Sequence, residues 1–118
     1  MKKFLAIYTG SASSEAMKQW YQLSEEDRNA REKAGMEAWG KWLESKQGQI
    51  VDVGTPLGKT KRISKKGIED IKNQMAAYAI VLAESHEAAA KLFENHPHFS
   101  IFPGEAVEVM ECLPLPRD

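Results

Sequence analysis

Residues 75–84 read Met-Ala-Ala-Tyr-Ala-Ile-Val-Leu-Ala-Glu, and Ser85-His86-Glu87-Ala88-Ala89 follows at once. A run this rich in β-branched, aromatic and small apolar residues, without glycine or proline, specifies a strand, and Ser85 is a good N-cap for a helix behind it. Side chains alternate along a strand, so its two faces differ. Tyr78, Ile80 and Leu82 occupy one face and Ala77, Ala79, Val81 and Ala83 the other. The small face admits helices closely, and the large one needs a different cover.

Downstream, the helix carries Ala88, Ala89, Leu92 and Phe93, and Pro97 stops it after Asn95-His96. Glu105 to Cys112 alternates Val107 and Val109 against Glu108 and Met110, which predicts a last strand ended by Pro114 and Pro116. Upstream, residues 3–9 (KFLAIYT) form a first strand closed at Gly10-Ser11, and Ser14-Glu15 opens a short helix through Tyr21. Ser24 caps a longer helix whose first turn holds Glu25, Glu26 and Asp27, favoured at the positive end of the helix dipole. Ala34, Ala38 and Trp42, with Trp39 and Leu43 beside them, give it an apolar stripe until Gly48 stops it. Gln49 to Val53 is the second strand. Residues 54–73 show no clean period, and their basic stretch is expected to be mobile or to form a short extra hairpin around Thr60 to Ile63.

The order strand, helix, strand, strand, helix, strand predicts an α+β, ferredoxin-like βαββαβ fold, a four-stranded antiparallel sheet with the helices on one face. Tyr78, Ile80 and Leu82 then project from the bare face. A second copy covering them is expected, a homodimer through the sheet face that makes a dimeric α+β barrel.

The whole chain, 118 residues, suits a single domain (1–118) of roughly 13 Å radius of gyration. Sixteen basic against seventeen acidic residues leave a net charge of −1, which calls for no nucleic acid. No apolar run approaches the roughly 18 residues of a membrane span, and the first residues do not make a signal peptide. The lone Cys112, expected as a small buried side chain, places the chain in a reducing cytoplasm.

Of the three histidines, His96 falls on one helical face with Ala89, Leu92 and Phe93 and points toward the sheet, as a general acid–base or as the cap of the helix end. Asp52 interrupts the apolar Ile50-Val51-Asp52-Val53, either on a solvated edge or as a base lining the pocket. Tyr8 and Tyr78 offer hydroxyls to a ligand, Trp39 a pocket wall, and His98 a second imidazole in the turn past Pro97. Lys61 and Arg62, in the basic stretch 59–66, suit an anionic ligand. A His-x-His pair can chelate a metal, but its carboxylate or thiolate partners would come from distant strands, so neither metal nor cofactor is expected.

The strand Lys3-Phe4-Leu5-Ala6-Ile7-Tyr8, the passage Ala77 to Ala89, and His96-Pro97-His98-Phe99 with Val107-Glu108-Val109-Met110 together resemble the YCII-related family, which includes the DGPF-type proteins, over nearly the whole chain. The resemblance implies a dimeric α+β barrel with a small cavity between helix and sheet. It also implies acid–base or elimination chemistry on small ring compounds by a His–Asp pair. The Asp-Gly-Pro-Phe tetrapeptide of the DGPF branch is replaced here by Gly67-Ile68-Glu69-Asp70-Ile71-Lys72. Two functions follow as expectations: a homodimer that binds a compact organic ligand and works on it with His96 and Asp52 in a lyase-like or hydrolase-like reaction, or a non-catalytic ligand-binding or accessory module.

Overall fold

The computed structural model describes residues 1–116, and along them the chain runs β1 (Lys2–Thr9), α1 (Glu15–Gln22), α2 (Glu25–Ser45), β2 (Ile50–Asp52), β3 (Thr60–Ser64), β4 (Gly67–Ile71), β5 (Met75–Ala83), α3 (His86–Lys91), α4 (Pro97–Ser100) and β6 (Ala106–Glu111). The main sheet has the order β2-β5-β1-β6, all antiparallel, which is the ferredoxin-like arrangement. β1 and β5 are central and pair from Lys2 with Ala83 to Thr9 with Met75. Their length lets each pair along both of its edges, β5 with β2 and β1, and β1 with β5 and β6.

The helix-side face of the sheet carries the core: Phe4, Ala6 and Tyr8 from β1, Ala79, Val81 and Ala83 from β5, and Ala89, Leu92 and Phe93 from α3 and the turn after it. The alanines of β5 let the α3 segment sit close, as the alternation requires. On the other face the register aligns Ile80 with Leu5 and Leu5 with Met110, and Tyr78 with Ile7 and Ile7 with Glu108. Leu5, Ile7, Tyr78, Ile80 and Leu82 are only partly covered there.

The stretch without a clean period is a two-stranded hairpin, β3 with β4, held by Lys61 to Asp70 and Arg62 to Glu69 across the strands. At its tip Ile63 faces Ile68, each 71 % exposed. The hairpin and the α1–α2 arm extend the molecule to 58 × 42 × 19 Å with a radius of gyration of 16.4 Å, above the value expected from length alone. Cys112 is exposed rather than buried, since β6 is an edge strand and the thiol lies beyond its last residue. Among the described residues no helix is long and apolar enough to cross a membrane.

The stripe expected on α2 contacts the body only in its second half. Ala34 is exposed, Ala38, Trp39, Trp42 and Leu43 are partly covered, and the one buried residue is Gly35, on which the Phe102 ring lies. A methyl group at Gly35 would come within 2.5 Å of that ring, whereas one at Gly40 would meet nothing. Replacing glycine by alanine inside a helix ordinarily stabilises by roughly 0.5–1 kcal/mol. Gly40→Ala is therefore expected to raise the melting temperature and Gly35→Ala to lower it, a difference of sign that paired thermal denaturation measures.

Candidate functional site

At the end of β1 the chain gathers two imidazoles around one phenol. Tyr8 projects into the helix-side core because it alternates with Phe4 and Ala6. α3 ends at Lys91 and a turn follows, in which Asn95 takes the left-handed conformation (φ 56°) and redirects the chain at His96. Pro97 occupies the first turn of α4, where its missing N–H costs nothing, and His96 is the N-cap: its Nδ1 accepts the His98 amide at 3.0 Å. His96 thus caps the start of the next helix instead of ending the previous one.

These bonds fix both tautomers. A backbone N–H can only donate, so His96 Nδ1 is unprotonated and its hydrogen sits on Nε2, 3.4 Å from the Tyr8 hydroxyl. A carbonyl can only accept, so His98 donates from Nε2 to the Thr9 carbonyl at 2.8 Å. The lone pair of a neutral His98 is therefore on Nδ1, to which no group of the described residues donates. The Thr9 carbonyl also accepts the Glu105 amide at 3.0 Å, and Gly104 donates to the His98 carbonyl at 2.9 Å. A side chain at Gly104 would collide with the His98 ring, so glycine there is what lets β6 pass so close.

Aromatic rings close the remaining sides. Trp39 meets His96 edge to face at 4.5 Å and Trp42 does so at 4.6 Å, while Phe93 and Phe102 pack behind them. Trp42 is held by its indole N–H on the Leu92 carbonyl at 2.7 Å. His96 is 0 % exposed and His98 9 %. Burial disfavours the imidazolium, pushing His96 down to about 4 with help from nearby His98. Burial also lowers His98, partly opposed by its bond to the Thr9 carbonyl, and raises the Tyr8 phenol. At neutral pH the cluster is uncharged.

Tyr8, Trp39, His96 and His98 are thus brought together. Asp52 and Tyr78 are not with them: the Tyr78 hydroxyl donates to Asp52 Oδ2 at 3.2 Å on the opposite face of the sheet, and Oδ1 of the exposed Asp52 accepts the Gly54 amide at 2.8 Å. The expected His96–Asp52 pair does not form: Ile50, opposite Val81, packs on the core, but the pairing is irregular between Ile50 and Asp52, so Asp52 lies opposite Ile80 on the other face of the sheet. Lys61 and Arg62 are exposed hairpin residues already paired with Asp70 and Glu69. Trp42, Phe93, Phe102 and Gly104 complete the cluster; the closeness of Gly104 and Phe102 to it depends on the turn after α4, for which no periodic pattern exists. His86 lies apart, against Phe4 and the Val109 carbonyl. Among the described residues no group of three or more His, Cys, Asp or Glu side chains is placed to hold a metal ion.

No family model matches the chain, and no curated protein does. Among solved structures it is similar to 5-chloro-2-hydroxyhydroquinone dehydrochlorinase of Burkholderia phenoliruptrix AC1100, in complex with 2,5-dihydroxybenzoquinone: TM-score 0.51, 19 % identity, 92 % of this chain and 90 % of that one covered. The likeness establishes a shared fold.

Burial of the neutral imidazoles fixes a pH dependence. Above pH 6.5 the folded and unfolded chains both hold His96 neutral; between 6.5 and about 4 only the unfolded chain takes up the proton. Stability is therefore lost as pH falls through that window, by on the order of 3 kcal/mol for His96. His96→Asn keeps a cap acceptor and removes the titrating group. Chemical denaturation across pH 7 to 4 is expected to give a shallower slope for that variant than for the unmodified protein.

Proposed function

We propose that this chain is a YCII-like domain, acting as a homodimer, that binds a compact ring-shaped organic molecule and moves protons on it at the Tyr8, His96 and His98 cluster. The observation that carries the reading is the convergence of two buried, neutral imidazoles with fixed tautomers on a buried phenol. His98 Nδ1 is the base, taking a proton from the ligand while the leaving group departs with its electron pair, or from water in a hydrolytic variant. Tyr8 donates a hydrogen bond to the oxygen on which charge develops, and a phenol that resists ionisation stays a donor throughout. His96 positions Tyr8. Trp39 and Phe102 withdraw to admit the ring and then stack against it.

The fold neighbour supports the choice of a first probe, since it was solved with 2,5-dihydroxybenzoquinone. That compound and hydroxylated or chlorinated ring analogues are expected to raise the melting temperature. Turnover of a responding analogue should fall by roughly 10²–10⁴ in His98→Ala, with folding retained. A second reading, a non-catalytic binding or accessory module, is favoured by the closure of the cluster: His96 is fully buried with both ring nitrogens within hydrogen-bond distance of a partner, which leaves His98 Nδ1 as the one ring nitrogen to which nothing among the described residues donates. Stabilisation by a ring compound with no turnover, unaltered in His98→Ala, would select that reading.

The dimer is supported by the half-covered face of Leu5, Ile7, Tyr78, Ile80 and Leu82 and by the exposed Ile63–Ile68 pair at the hairpin tip. Each such side chain contributes roughly 1.5–3 kcal/mol when fully buried, enough in sum to offset association entropy. Ile80→Asp is expected to give a monomer or an unfolded chain in sedimentation at micromolar concentration, and a stable monomer of the unmodified protein would overturn the proposal. A reducing cytoplasm is the setting we assign, supported by the exposed single thiol.

A further inference from the structure

On the far side of Thr9 from the imidazoles, the loop Gly10–Ser13 and the base of the β3–β4 hairpin border a cleft of about 1190 Å³. Lys59, Lys61, Lys72, Ser11 and Ser13 are among its lining groups, with Leu57, Ile71 and Met75 as apolar wall. One carboxylate lines it, Asp70, and Lys61 already neutralises that at 2.7 Å. Lys59 and Lys72 make no ion pair with any described residue.

The register makes that pair unusual. The ladder ends with Thr60 opposite Ile71, and Lys59 and Lys72 are the next residues outward on the two sides of the hairpin. Like charges directly opposite on a hairpin are destabilising. Here both line one cleft, and the one carboxylate of its lining, Asp70, is paired with Lys61. An arrangement that costs stability when empty recovers it when a counter-charge occupies the space between the ammonium groups. Two uncompensated positive charges, neighbouring hydroxyls and an apolar wall select a doubly charged headgroup on an apolar body.

We infer that the cleft between the Gly10–Ser13 loop and the β3–β4 hairpin is a binding site for an organic dianion, in class a phosphate monoester, held between Lys59 and Lys72 with its body on Leu57 and Met75. Arg62 takes no part: it is absent from the lining and pairs with Glu69. The inference does not require the histidines to be catalytic.

Phenyl phosphate titrated into ¹⁵N-labelled protein tests it, with inorganic phosphate and benzoate as comparisons. Saturable amide shifts are expected in residues 10–13, 57–61 and 70–75, with weaker binding of both comparison anions. Affinity should fall about tenfold between roughly 20 mM and 200 mM NaCl, as screening by salt requires. Lys59→Gln/Lys72→Gln, two exposed substitutions, should weaken phenyl phosphate at least tenfold while leaving the ligand-free melting temperature equal or higher. Shifts located elsewhere, benzoate binding as tightly as phenyl phosphate, unchanged affinity in the double variant, or a lower ligand-free melting temperature would each overturn it.

Discussion

The carbonyl of Thr9 is the constraint on which the site depends. It ends β1, and it accepts both the Glu105 amide that starts β6 on its path and the His98 ring that anchors α4. One acceptor with two lone pairs therefore ties the central strand, the edge strand and the short helix at a single point. Move that carbonyl and the His98 tautomer, the β6 register and the seat of Tyr8 all change together. The irregularity in the β1–β5 pairing falls between Tyr8 and Thr9, where the strand leaves regular alternation to make this junction.

Burial gives the cluster its chemistry. An imidazole in water divides its time between charged and neutral forms near neutrality, but one enclosed by Trp39, Trp42 and Phe93 cannot afford the desolvated charge. Neutrality leaves each ring with one donor and one acceptor, and the backbone chooses which is which. The same enclosure shuts the site. α2 covers it with the tryptophans of its second half while its first half stands away from the sheet, so opening costs few contacts beyond the aromatic ones.

The sheet was legible in the sequence because its signals are local. The alternation of Met75–Ala83 and the caps at Ser14, Ser24 and Ser85 each depend on a few neighbours, and each appears where expected, whereas the helix expected to run to Pro97 ends at Lys91 and Pro97 opens the next one. His96, Tyr8 and Trp39 were also visible as polar or aromatic groups on core-facing positions, whereas His98, expected in a turn, is buried on α4. Of the two readings open for Asp52, the solvated edge holds and the pocket base does not; the sequence could not choose because the face of a strand depends on register, and the pairing is irregular between Ile50 and Asp52. The hairpin lacked a strong pattern because both its faces are largely exposed, so no buried face imposes alternation. The contact of Gly35 with Phe102 joins residues far apart in the chain and leaves no local trace.

The most direct measurement of the central claim is the protonation and tautomer of the two imidazoles, read from long-range ¹H–¹⁵N correlation spectra of histidine-labelled protein through a pH series. The account predicts that His96 and His98 are both neutral at pH 7, each with its proton on Nε2, and that His96 gains a second proton only near pH 4. A His98 carrying its proton on Nδ1, or either ring charged at pH 7, would contradict it.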